Sequence, residues 1–132
     1  MPVFKDADIL YAVMREMFTQ AAEKDPKAFD ETINNRLTVR FKIIAPAAEF
    51  TLDGKARPAK MTYGVFSGRS DIDLALTGDN LDRLLKHEIS ATKAVTDGTI
   101  KFKGNPLKLR ALLDVIKACG AVYSAATKKR QS

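Results

Sequence analysis

From Ile9 to Ala21 the apolar residues Ile9, Leu10, Val13, Met14, Met17, Phe18 and Ala21 recur at intervals of three and four, the period of a helix that buries one face. Asp6 and Asp8 stand where acids favour the positive helix end, so a helix is predicted over residues 6–24. Pro26 suits the first turn of a second, short helix that carries Phe29 and Ile33 and ends at Asn34-Asn35. The period then changes to two. Leu37, Val39, Phe41 and Ile43 alternate with Thr38, Arg40 and Lys42, and Ala48, Phe50 and Leu52 alternate with Glu49, Thr51 and Asp53. Asp53-Gly54 reads as a tight turn, after which Met61, Tyr63 and Val65 continue the alternation, giving an antiparallel meander of three strands. In a fourth strand Ile72, Leu74 and Leu76 oppose Asp71, Asp73 and Thr77.

A helix beginning at Thr77-Gly78-Asp79 carries Leu81, Leu84 and Leu85, a shorter one runs from a Ser90 cap to about Thr96, and Asp97-Gly98 stops it. Ile100 and Phe102 then face away from Thr99, Lys101 and Lys103 in a short fifth strand, and Gly104-Asn105-Pro106 opens a last helix that reaches about residue 126. The order of elements describes one α+β domain over residues 1–132, its sheet polar on one face and covered by helices on the other.

The last helix is more apolar than sheet packing requires. Leu109, Leu112, Leu113, Ile116, Cys119, Gly120 and Tyr123 form one stripe, which Val115, Ala118 and Val122 widen. Such an arc packs under a neighbouring helix, makes a dimer contact or walls an apolar cavity. Gly120 inside it costs about 1 kcal/mol relative to alanine, which marks either a close approach or a frayed end.

Composition narrows the choices. The 132 residues are 45% hydrophobic and 29% charged, enough apolar surface for a folded core. Cys119 and His87 are single copies, which leaves no intramolecular disulfide, no cysteine-rich zinc site and no pair of imidazoles, and a lone thiol suits a reducing compartment. The net charge of +6 is uneven: residues 1–66 hold ten Lys and Arg against nine Asp and Glu, residues 67–132 twelve against seven. A basic half is compatible with nucleic acid, an anionic membrane or plain solubility. No helix-turn-helix, RNP-like aromatic motif or zinc finger accompanies it, so nucleic acid is not the expected partner. Neither a secretory signal nor an apolar run of the ~18 residues a membrane span needs is visible, and the chain reads as cytoplasmic.

The segment Asp97-Gly98-Thr99-Ile100-Lys101-Phe102-Lys103-Gly104-Asn105-Pro106-Leu107-Lys108-Leu109 resembles the signature of the sterol carrier protein type 2 domain family. Phe50-Thr51-Leu52-Asp53-Gly54, Ile72-Asp73-Leu74-Ala75-Leu76 and the leucine-rich Asp79 to Leu85 agree in order and spacing. The resemblance covers nearly the whole chain. It implies a five-stranded, mixed and mainly antiparallel sheet, its fourth strand entered by a crossover, with an apolar tunnel between helices and sheet that accepts sterols, fatty acids or acyl-CoA. The chain departs from peroxisomal members by ending Arg130-Gln131-Ser132 rather than in an import tripeptide.

On that basis the expected function is non-catalytic lipid binding and transfer, with no cofactor or metal. The expected ligand wall is Met17, Phe18, Leu84, Leu85, Phe102, Leu109, Leu112, Leu113, Ile116 and Tyr123, while Phe50, Met61 and Tyr63 go to ordinary core. Lys128, Lys129 and Arg130 are candidates for contact with an anionic membrane surface. Since domains of this family also occur as parts of larger enzymes, the alternative is an auxiliary interaction or dimerisation module serving a lipid- or steroid-processing enzyme. A catalytic reading would have to use Asp71, Asp73, His87, Glu88 or Cys119. Asp71 and Asp73 read as solvated carboxylates on a strand's polar face, His87-Glu88 as a surface pair, and Cys119 as a small buried hydrophobe.

Overall fold

The computed structural model describes residues 3–131, with side chains described through residue 127. Helix α1 spans Ala7–Lys24, and the Asp6 side chain accepts a hydrogen bond from the Ile9 backbone N–H at its start. A 3-10 turn at Pro26–Phe29 leads into α2, Asp30–Asn34. The strands are β1 (Thr38–Ile44), β2 (Ala48–Asp53), β3 (Lys60–Tyr63) and β4 (Ile72–Thr77). Helices α3 (Gly78–Leu85) and α4 (Ala91–Asp97) follow, then β5 (Lys101–Lys103), a 3-10 turn at Pro106–Lys108 and the long helix α5, Leu109–Gln131. Thr77 and Ser90 cap α3 and α4 with their hydroxyls.

The sheet order is β3-β2-β1-β4-β5, with β1 and β4 parallel and the other pairs antiparallel. The meander and the crossover into the fourth strand are therefore both present. Alternation decides which side is dry: Val39, Phe41, Phe50, Leu52, Ile72, Leu74 and Leu76 are buried toward the helices. There α1 and α5 pack on each other, and α5 also crosses α3. One continuous cluster of buried side chains joins all of these elements. At the meander's edge Tyr11 accepts a hydrogen bond from the Glu49 N–H, and the Arg15 guanidinium lies 4.7 Å over the Tyr63 ring, fastening α1 to β2 and β3.

Three details depart from the sequence expectation. Asp53-Gly54 does not make a two-residue hairpin, since residues 54–59 separate β2 from β3. Gly54 is needed for proximity instead: a Cβ there would stand 2.6 Å from the Thr32 carbonyl oxygen, so β2 runs out directly beneath α2. Val65 lies outside β3 and is 88% exposed. The chain turns away because Arg40 Nη2 donates to the Phe66 and Gly68 carbonyls, at 3.0 and 2.9 Å, while the Phe66 N–H donates to the Glu49 carboxylate at 2.9 Å. This loop lies across part of the polar face, where Thr51 is fully buried. Asp71 is likewise more than a solvated acid, for its carboxylate accepts the Thr38 N–H at 2.8 Å and ties the start of β1 to β4. Asp73 accepts from the Ser70 hydroxyl.

Candidate lipid-binding site

Where α1, α3 and α5 close over β1 and β2, a void of about 20 Å³ remains. Met14, Met17 and Phe18 come to it from α1, Leu81, Leu84 and Leu85 from α3, Val115, Ile116 and Cys119 from α5, and Phe41 and Phe50 from the sheet. The helical residues converge because each repeats at three or four along its helix, so each helix offers a stripe rather than a single side chain. Phe41 and Phe50 are register partners on β1 and β2, and their rings stack 4.7 Å apart as the floor. No polar side chain lines this space. At about 20 Å³ it is far smaller than the lipid-sized tunnel that the resemblance implies.

A groove of about 520 Å³ opens to solvent on the other side of two of these residues. Leu84 and Ile116 border both spaces, and Leu113 and Ile89 extend the groove's apolar wall. His87, Glu88, Ser90 and Lys117 form its polar rim. Beside His87, α5 passes very close to the end of α3. A Cβ at Gly120 would stand 2.7 Å from the Leu85 carbonyl and 2.5 Å from His87 Nε2, so this glycine marks a close approach rather than a frayed end. His87 itself has φ +61, turning the chain outward after α3.

The expected wall residues therefore divide. Met17, Phe18, Leu84, Leu85 and Ile116 meet at the void, and Leu113, 36% exposed, faces the groove with Leu84 and Ile116. Leu112 is fully buried, whereas Phe102 and Leu109 are half-buried at the border of the core. Tyr123 is buried with a polar duty: its hydroxyl donates to Asp82 Oδ1 at 2.6 Å, and Asp82 Oδ2 receives Lys86 at 3.1 Å. Burial, reinforced by the Asp82 carboxylate, raises the Tyr123 phenol above its ordinary range. Sequence reasoning missed Met14, Phe41, Leu81 and Val115 as lining and assigned Phe50 to ordinary core; their periodicity marks them as buried without saying which buried residues border a gap. Lys128, Lys129 and Arg130 have side chains outside the described residues.

Of the candidate catalytic groups, His87 and Glu88 stand together at the groove's rim. Burial pushes the Cys119 thiol up to about 12, far from a reactive thiolate. Asp71 and Asp73 belong to the opposite face of the sheet. Among the described residues, no three His, Cys, Asp or Glu side chains gather as metal ligands do, and no helix is long and apolar enough to cross a membrane.

No family model matches the sequence, and no curated protein matches it. Solved structures do. Sterol carrier protein 2 from Yarrowia lipolytica, in its apo form, is 21% identical with a TM-score of 0.65, covering 91% of this chain and 96% of that one. A palmitated SCP2L2 from Aedes aegypti is 17% identical with a TM-score of 0.58, covering 89% and 96%. A protein described as UbiJ-SCP2, a ubiquinone synthesis protein, is 13% identical with a TM-score of 0.63, covering 92% and 94%. At these identities what is shared is the architecture, over nearly the full length of each partner: the chain has the fold of the sterol carrier protein 2 domains.

Proposed function

We propose that this protein binds the apolar chain of a lipid between α5, α3 and the sheet, and carries it between hydrophobic environments without chemical change. The observation that supports this reading is the purely apolar void lying one side-chain layer beneath a solvent-open groove, with Leu84 and Ile116 as the shared partition. Outward rotation of these two side chains joins the spaces. The opposite wall is suited to yielding, since Met14 and Met17 are unbranched and repack at low cost. The ligand wall we propose is Met14, Met17, Phe18, Leu84, Leu85, Val115 and Ile116, with Leu113 at the mouth. The palmitated Aedes neighbour supports a fatty acyl ligand.

The thermodynamics are those of differential solvation. A chain of about sixteen carbons gains roughly 12 kcal/mol on leaving water, at ~0.8 kcal/mol per methylene, before association entropy and the opening of the void are subtracted. In a bilayer the same methylenes are already dry. Uptake and delivery are then both accessible, and no covalent step or metal is called on. The lone thiol of Cys119 suits a reducing compartment such as the cytoplasm. In this reading the basic tail residues Lys128, Lys129 and Arg130 assist contact with anionic membranes.

Titration with a fluorescent fatty acid and a fluorescent sterol tests the carrier. Saturable binding of either at micromolar concentration is expected, and failure of both overturns it. A second reading, an auxiliary module that presents a lipid to a partner enzyme, is favoured by the UbiJ-SCP2 neighbour. It predicts that lipid is retained in the absence of acceptor enzyme and is not delivered to vesicles.

A further inference from the structure

A second apolar space lies on the far side of the central void. It is a cleft of about 260 Å³ between the end of α1, the Pro26–Phe29 turn and the loop that joins β2 to β3. Phe18, Phe29, Leu52, Pro58 and Met61 form its walls. Leu52 and Met61 are register partners on β2 and β3, so its floor is the same sheet face that underlies the void. Phe18 borders both spaces, standing 6.1 Å edge-to-face against Phe50. The groove, the void and the cleft thus form a row across the molecule. Leu84 and Ile116 divide the first two, and Phe18 divides the last two.

The two ends of the row differ chemically. The groove carries His87, Glu88, Ser90 and Lys117 at its rim. The cleft has one charged side chain, Arg57, whose guanidinium is bound to Asp30 Oδ1 at 2.9 Å. The groove accordingly suits a polar headgroup and the cleft a hydrocarbon end. Size agrees, because a dry cavity of about 150 Å³ accepts a benzene ring, and the cleft is larger.

We propose that the cleft is a second ligand subsite, which takes the terminal segment of a long, unbranched acyl chain, and that Phe18 is the residue that sets the chain length accepted. This rests on the carrier reading above. A short chain ends within the expanded void, and a long one must turn the Phe18 ring aside to reach the cleft. The ligand class is then a saturated long-chain fatty acid or its ester, in preference to a rigid polycyclic lipid that cannot pass the Phe18–Phe50 constriction.

The test is displacement of a fluorescent fatty acid by dodecanoate, palmitate and stearate, in the wild type and two variants. Ala22 is exposed on α1 and lines the cleft without bordering the void, so Ala22→Trp fills the cleft from outside with little risk to folding. It should weaken stearate by about tenfold and leave dodecanoate unchanged. Phe18→Leu keeps the position apolar and widens the constriction, and it should shift preference toward stearate. Equal stearate-to-dodecanoate ratios in the wild type and Ala22→Trp would overturn the subsite. Failure of the wild type to bind any of the three acids would overturn the subsite, and failure to bind the fluorescent sterol as well would overturn the carrier reading with it.

Discussion

Leu113 and Ile116 are three residues apart on α5, yet only Ile116 reaches the void, because the first points along the helix edge and the second inward. Leu113→Trp therefore adds bulk to open groove rather than to packed core. Its melting temperature should stay within a few degrees of the wild type while fatty acid affinity falls about tenfold, as differential scanning fluorimetry and the binding titration will show. Cys119 and Tyr123 make a second prediction. Each holds its proton in the folded protein above its ordinary range, 9.0 for the thiol and 10.0 for the phenol, whereas the unfolded chain loses both protons there. Native protons outnumber unfolded ones, so stability is full below about pH 9 and falls above it, by about 1.4 kcal/mol per pH unit for each group. Urea melts at about pH 8 and about pH 11 check this, and Cys119→Ala should lessen the slope by about one proton. An unchanged urea midpoint across that range would contradict it.

At the level of elements, the contact between α5 and the end of α3 borders the groove through His87. Gly120→Ala places a methyl group against the Leu85 carbonyl and the His87 ring; the ring can move, the carbonyl cannot. The variant should lose about 1 to 3 kcal/mol of stability by chemical denaturation, and a gain, as a simple helix-propensity effect would give, would show that α5 does not press on α3 in this way. Tyr123→Phe removes the hydroxyl that partners Asp82 and should cost a comparable about 1 to 3 kcal/mol, with fatty acid affinity unchanged. The elements themselves were largely legible in the sequence. Period and caps point to all five helices and all five strands, since Asp6, Thr77 and Ser90 lie where hydroxyl or carboxylate caps belong, and the dry sheet face follows from strict alternation. Connections were harder to read. Asp53-Gly54 has the composition of a hairpin turn, but its glycine serves a contact with Thr32, a residue that only the tertiary fold brings near. The clasp of Arg40 on the Phe66 loop is a long-range hydrogen bond with no local signature.

For the molecule as a whole, the carrier account depends on how three apolar spaces are arranged. Periodicity correctly singled out the stripes of α1, α3 and α5 that face inward, and so five of the ten expected wall residues meet at the void. It could not separate Tyr123 or Leu112, which are equally periodic, from Ile116, because bordering a gap is a property of packing among elements distant in the chain. Nor does any pattern within one segment indicate that the space is only about 20 Å³. Its small size is what makes the central claim testable, for a chain must widen the void to enter it. The most direct measurement is methyl NMR of the protein during titration with palmitate. The account predicts that the methyl signals of Met14, Met17, Leu84, Val115 and Ile116 shift together, while those of Ile44 and Val65, exposed and distant from the helix-covered face, stay in place. Unmoved signals at the five inner residues, with palmitate shifting only exposed methyls, would contradict it.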